Sequence, residues 1–134
     1  MTNHPEVELV QLQINYIDWE SDTVQSRKCF EVALKHNKQI AIMEPIKGGS
    51  LVNIMDDAKK IFTDFNPNAS LASWAIRYAS SLENVLIVLS GMSNIEQLND
   101  NMSYMKNFIP LSKDEYNVIS KATELIKKTI AVPC

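Results

Sequence analysis

Residues 84–101 read NVLIVLSGMSNIEQLNDN. An apolar strand over residues 85–89 runs directly into a turn of small residues, Ser90-Gly91-Met92-Ser93. A polar helix start follows, carrying Asn94, Glu96, Gln97, Asp100 and Asn101. A strand that ends in a Gly/Ser turn at a helix N-terminus is a natural place to hold an anion. Unpaired backbone N–H groups and the positive end of the helix dipole meet there. Taken alone, such a turn is common in α/β proteins that hold no ligand. Its meaning comes from what surrounds it.

Upstream, two more strands run into loops. Residues 7–14 (VELVQLQI) alternate between two faces. Val10, Leu12 and Ile14 share the face suited to packing under helices, and Val7, Leu9, Gln11 and Gln13 share the other. Residues 15–18 form the exit loop, and Asp22 or Thr23 caps a helix reaching about His36, with Phe30, Ala33 and Leu34 inward. Asn37-Lys38 ends it. Residues 39–43 (QIAIM) form a short apolar strand that enters Glu44-Pro45-Ile46-Lys47-Gly48-Gly49. Proline cannot donate to a ladder and the glycine pair permits backbone angles closed to other residues, so this is a loop.

A helix covers residues 56–65 before Asn66-Pro67 interrupts the chain. Ser70 opens the next helix, in which Leu71, Trp74, Ala75, Tyr78, Ala79 and Leu82 form one apolar stripe. After the third strand comes a helix over residues 94–105. Ser112 and Glu115 then have capping-box spacing for a last helix, with Val118, Ile119, Ala122, Leu125, Ile126 and Ile130 inward. Strands separated by helical segments indicate parallel βαβ units.

Composition narrows the function classes. The chain has 134 residues, 46% of them hydrophobic and 22% charged, enough for one domain with a real core. Thirteen Lys+Arg face sixteen Asp+Glu, a formal net charge of −3. That balance argues against non-specific nucleic-acid binding, which needs a basic surface to displace counterions. The basic pairs Arg27-Lys28, Lys59-Lys60 and Lys127-Lys128 read as solvated helix faces. No apolar run approaches the ~20 residues that span a bilayer. The start MTNHPEVELV has no signal-peptide pattern, which makes the cytoplasm the expected compartment. Cys29 and Cys134 form no disulfide framework. Cys29 falls in a helical pattern and reads as a small buried apolar residue.

Taken together, VQLQINY (residues 10–16), MEPIKGGSL (43–51) and VLSGMSNIEQLNDN (88–101) resemble the last part of an aldo/keto reductase, a TIM-barrel enzyme using NADPH or NADH. The resemblance covers nearly the whole chain. It implies an α/β fold, a partial TIM (β/α)8 barrel with about the last three βα units plus C-terminal helices, so that residues 1–134 are the C-terminal part of such a barrel. By resemblance, Gln11 matches the glutamine that helps hold the nicotinamide carboxamide. Met43 falls where many members stack a tyrosine on the nicotinamide ring. Pro45, Ile46 and Gly48 match the loop over the pyrophosphate. Gly91, Met92, Ser93 and Asn94 match the turn at the adenosine phosphate. Gln97 falls where NADPH-preferring members often carry Arg, and glutamine has no charge for a 2′-phosphate. Asp100 and Asn101 match the pair that contacts adenine.

The family's catalytic Tyr, Lys, Asp and His belong to early strands, which would precede Met1. His4, His36, Tyr16, Tyr78, Tyr104 and Tyr116 match none of them, so the resemblance supplies no catalytic residue here. Without an acid to protonate the developing alkoxide, the chain alone is expected to be inactive. IAVPC (residues 130–134) resembles the entry to a cysteine-rich iron–sulfur segment of some members. One cysteine cannot hold a cluster, so a cluster belongs to a longer chain only, and Cys134 reads here as a terminal thiol with no metal site. A partial parallel sheet has open edges, which predicts self-association covering them. Two alternatives stay open: a non-catalytic nucleotide-binding module, and an interaction fragment that completes another chain's barrel.

Overall fold

The computed structural model describes residues 4–130, the side chain of Ile130 excepted. Ile130's expected inward packing and Cys134 lie outside the described residues. The order is β1 (Leu9–Gln13), α1 (Ser26–Lys35), β2 (Gln39–Met43), a 3-10 turn (Ser50–Val52), α2 (Asp56–Phe65), α3 (Leu71–Ser80), β3 (Val85–Val88), α4 (Ile95–Met105) and α5 (Lys113–Ile130). The strands form one parallel sheet in the order β1-β2-β3. β1 is shorter than its apolar pattern at both ends and β3 at its C-terminal end, although Ile14 N still donates to Met43 O and Leu89 N to Ile42 O just beyond them.

Register decides which side chains share a face. Gln11 lies beside Ala41, which lies beside Ile87, and Gln13 lies beside Met43. A bulge between Ile40 and Ala41 leaves Leu86 unmatched on β3. Ile14, Ile40 and Ile42 point into the core with Val10, Leu12, Val85 and Val88 packed against it. The opposite face is open: Leu9, Gln11 and Ile87 are all exposed.

The helices close the core from one side. Phe30 and Ala33 of α1, Phe62 of α2, Trp74, Ala75, Tyr78 and Ala79 of α3, and Val118, Ile119, Ala122 and Ile126 of α5 are buried together. The rings of Phe62 and Trp74 lie 5.1 Å apart. Three helix ends follow their side-chain chemistry. Ser70 Oγ accepts from Ser73 N at 3.0 Å and caps α3. At α5, Ser112 N donates to Glu115 Oε2 at 2.8 Å and Glu115 N donates to Ser112 Oγ at 3.3 Å, a reciprocal capping box. At the end of α1, Asn37 takes φ 49° while Asn37 N donates to Leu34 O and Lys38 N to Ala33 O, a Schellman end.

Two expectations fail on α1. Neither Asp22 nor Thr23 caps it, because a separate turn, with Gln25 N donating to Ser21 O at 2.7 Å, comes first. Gln25 then enters the helix from a left-handed conformation with no side-chain cap. Cys29 is exposed, not buried. The buried stripe of α1 is Ser26, Phe30 and Ala33, and Ser26 Oγ donates to Gln13 O at 2.8 Å. Anchoring the helix there turns Cys29 onto its outer flank.

Candidate functional site

The loops leaving β2 and β3 meet at the carboxyl ends of the strands and form one wall each of a cleft of about 650 Å³. In parallel α/β sheets this is where ligands bind, since loops of adjacent strands converge there. Pro45, Ile46 and Gly48 line one wall; Gly91, Met92 and Gln97 line the other, with Asp100 and Asn101 beyond them. A Cβ built on Gly48, Gly49 or Gly91 would meet nothing within 4 Å, so the backbone borders open space at all three. Gly48 and Gly49 also need their identity for conformation, at φ 60° and 88°.

The turn after β3 is organised by side chains. Asn94 Oδ1 accepts from Gln97 N at 2.8 Å, and Gln97 Oε1 accepts from Ser93 N at 2.8 Å and from Ser93 Oγ at 3.2 Å. Ser93 and Asn94 therefore act as the N-terminal cap of α4 and do not line the cleft. Their capping occupies the Ser93 and Gln97 amides. The Gly91 and Met92 amides have no protein acceptor among the described residues. Asp100 accepts from Ser70 Oγ at 2.6 Å, so the cap residue of α3 also orients a cleft carboxylate. Asn101 is held at both ends, donating to Ser90 Oγ at 3.1 Å and accepting from Tyr104 Oη.

Gln11 and Met43 sit apart from the cleft, on the open sheet face. They touch each other, Gln11 Nε2 lying 3.1 Å from Met43 Sδ. The parallel register that sets Gln13 beside Met43 makes this contact available.

Several cleft and near-cleft residues had no distinguishing signal in the sequence. Lys59 lines the cleft from α2 and is the only cation among its lining residues, although Lys59-Lys60 reads as a solvated pair. Leu71, first in the α3 stripe, lines the cleft as well as packing on the core. The third case is a buried polar cluster behind the 44–49 loop. Asn15 is 0% and Asp18 5% exposed. Asn15 Oδ1 accepts from the Ile17 and Asp18 amides, and its Nδ2 donates to Asp18 Oδ2 at 3.0 Å and to Glu44 O at 3.2 Å. Gln13 Nε2 donates to Asp18 Oδ2 at 3.0 Å, and Lys47 Nζ reaches both Asp18 oxygens at 2.7 Å. Burial works to raise the Asp18 pKa, but hydrogen bonds from Lys47, Asn15 and Gln13 outweigh it and hold the carboxyl below its usual range. A carboxylate so placed stays ionised and anchors its surroundings.

A model of the aldo/keto reductase family matches residues 1–124. Among solved structures, the chain is similar to the aldo-keto reductase AKR11C1 from Bacillus halodurans. Its holo form gives a TM-score of 0.66 at 18% identity, covering 90% of this chain and 45% of that one. Its apo form gives the same score and identity, covering 90% and 46%. The chain thus spans less than half the length of these structures, and its three-stranded sheet corresponds to part of a barrel. At this identity the likeness is one of fold. No curated protein matches.

Proposed function

The chain belongs to the aldo/keto reductase family, and from that premise we propose that its cleft holds the adenosine and pyrophosphate parts of NADPH or NADH, as the cofactor-holding C-terminal portion of a reductase. The carrying observation is the convergence of Gly48, Gly91, Asp100 and Asn101 on one cleft of about 650 Å³, a volume within the range of small-molecule and cofactor sites. When bound, the cofactor supplies hydride to a carbonyl carbon.

The chain's own residues bind and orient. Gly48 and Gly49 let backbone approach a pyrophosphate without a side chain in the way. The Gly91 and Met92 amides donate to an adenosine phosphate at the positive end of α4. Lys59 supplies the counter-charge that Gln97 lacks. Asp100, held by Ser70, and Asn101, held by Ser90 and Tyr104, offer fixed polar atoms to adenine. Gln11 and Met43 receive the nicotinamide end on the open sheet face. The proposed role of these 134 residues is nucleotide binding without carbonyl reduction on their own.

Titration of the pure chain with NADPH, NADH and ADP, followed by calorimetry and tryptophan fluorescence, tests this. Saturable binding of all three, with no turnover of a simple aldehyde, is the expected result. Absence of ADP binding would remove the nucleotide reading, and turnover would remove the proposed inactivity.

A further inference from the structure

The 44–49 loop carries unusual backbone angles for its residues. Glu44 and Lys47 take φ 54° and 50°, in the left-handed region, just before Gly48 and Gly49 at φ 60° and 88°. A left-handed conformation at a residue with a side chain persists only where the surroundings over-determine it. Both strained residues are tied to one cluster on the neighbouring strand end. Glu44 is held through its carbonyl by Asn15 Nδ2, and Lys47 through its ammonium by both oxygens of Asp18. Asn15 and Asp18 are themselves buried and joined to each other. The residues on either side of Lys47, Ile46 and Gly48, line the cleft, whereas Lys47 does not. Its side chain turns back to Asp18 while its neighbours face the ligand space.

We infer that Lys47 is a positioning residue: its two-oxygen contact with buried Asp18 sets the left-handed 44–49 loop and thereby the wall of the cleft. The inference rests on the reading of that cleft as a nucleotide site. Lys47 touches no ligand. It acts through the loop by pre-organising a wall that would otherwise have to be ordered on binding. The pair is also suited to this task because half of it is buried. Asp18 has a side-chain exposure of 7% and Lys47 of 37%. Removing the lysine leaves a buried carboxylate without its cation, so the cluster cannot relax into water at no cost.

The test uses K47M, K47R and the charge-free double variant D18N/K47M in the whole chain. Two quantities are read. The first is amide hydrogen exchange at Gly49, Ser50 and Leu51, whose N–H groups bond back to Ile46 O, Lys47 O and Ile46 O. The second is ADP affinity by calorimetry. In K47M and the double variant these amides should exchange roughly ten-fold faster while α3 amides keep their wild-type protection, a local opening and not a global one. ADP affinity should fall about ten-fold in both, and K47R should recover most of it.

Unchanged loop exchange in K47M and the double variant overturns the inference. So does an equal acceleration of the α3 amides, which would make the pair a general stability element. If the wild-type chain binds no ADP, the nucleotide reading fails on that result alone. Loop exchange then still decides the clamp: selective acceleration upholds it and unchanged rates overturn it.

Discussion

At Gly91 the backbone has no left-handed φ, and an added Cβ would meet no atom within 4 Å. Folding therefore has no use for glycine at this position, in contrast to Gly48 and Gly49, where φ requires it. The space beside Gly91 belongs to the cleft. Gly91→Ala should leave stability within about 0.5 kcal/mol of wild type, as for an ordinary surface change, yet weaken ADP binding several-fold. Thermal unfolding and calorimetry on the same sample separate the two effects. Unchanged affinity would mean that no ligand approaches this turn. That Gly91 lies in the turn after β3 was legible from its motif alone. The Asp18–Lys47 pair was not, because its members are 29 residues apart in sequence and nothing within either loop names the other as its partner.

At the level of elements, α3 couples folding to the cleft through one residue. Ser70 accepts from Ser73 N as the helix cap and donates to Asp100 across 30 residues. Only the first role is local, and only it could be read from the sequence. Ser70→Ala should cost about 1 kcal/mol of stability through the lost cap, lowering Tm by roughly 3–5 °C in a chain of this size. Ser70→Thr keeps the cap and should retain most of that stability. A Tm for the alanine variant equal to wild type would show that the cap contributes nothing. α1 shows the opposite case. Its periodicity was legible, but its start and the exposure of Cys29 were not. The long-range bond from Ser26 Oγ to Gln13 O, not a neighbouring Asp or Thr, sets how the helix begins and turns.

At the level of the whole molecule, β1 and β3 are both edge strands, and one sheet face lacks a covering layer. Leu86, Ile87 and Leu89 along β3, with Ile95, Leu98 and Met102 on α4, are exposed large apolar residues. β3 and α4 also border a common groove of about 440 Å³. Contiguous apolar surface beside an unpaired strand edge drives association. The chain should sediment well above 15.2 kDa at high concentration, and Leu86→Glu should return it toward the monomer. A monodisperse 15.2 kDa species at the highest attainable concentration would count against self-association. No helix among the described residues is long and apolar enough to cross a membrane.

The sequence by itself determined the order of strands and helices, the inward stripe of α3, the Ser70 and Ser112 caps and the two turns that wall the cleft. Each of these depends on residues within a few positions of one another, where periodicity and capping chemistry act. Tertiary structure alone decided which strand ends lie side by side, and with that everything needing a distant partner. Asp18 finds Lys47 and Gln11 finds Met43 because parallel pairing sets β1 and β2 side by side, and Ser70 finds Asp100 because α3 packs against α4, in each case across some thirty residues of sequence. Whether a side chain faces core, cleft or solvent is likewise a property of the layer packed against it, and neither Cys29 nor Lys59 carries that layer in its own neighbourhood of the chain.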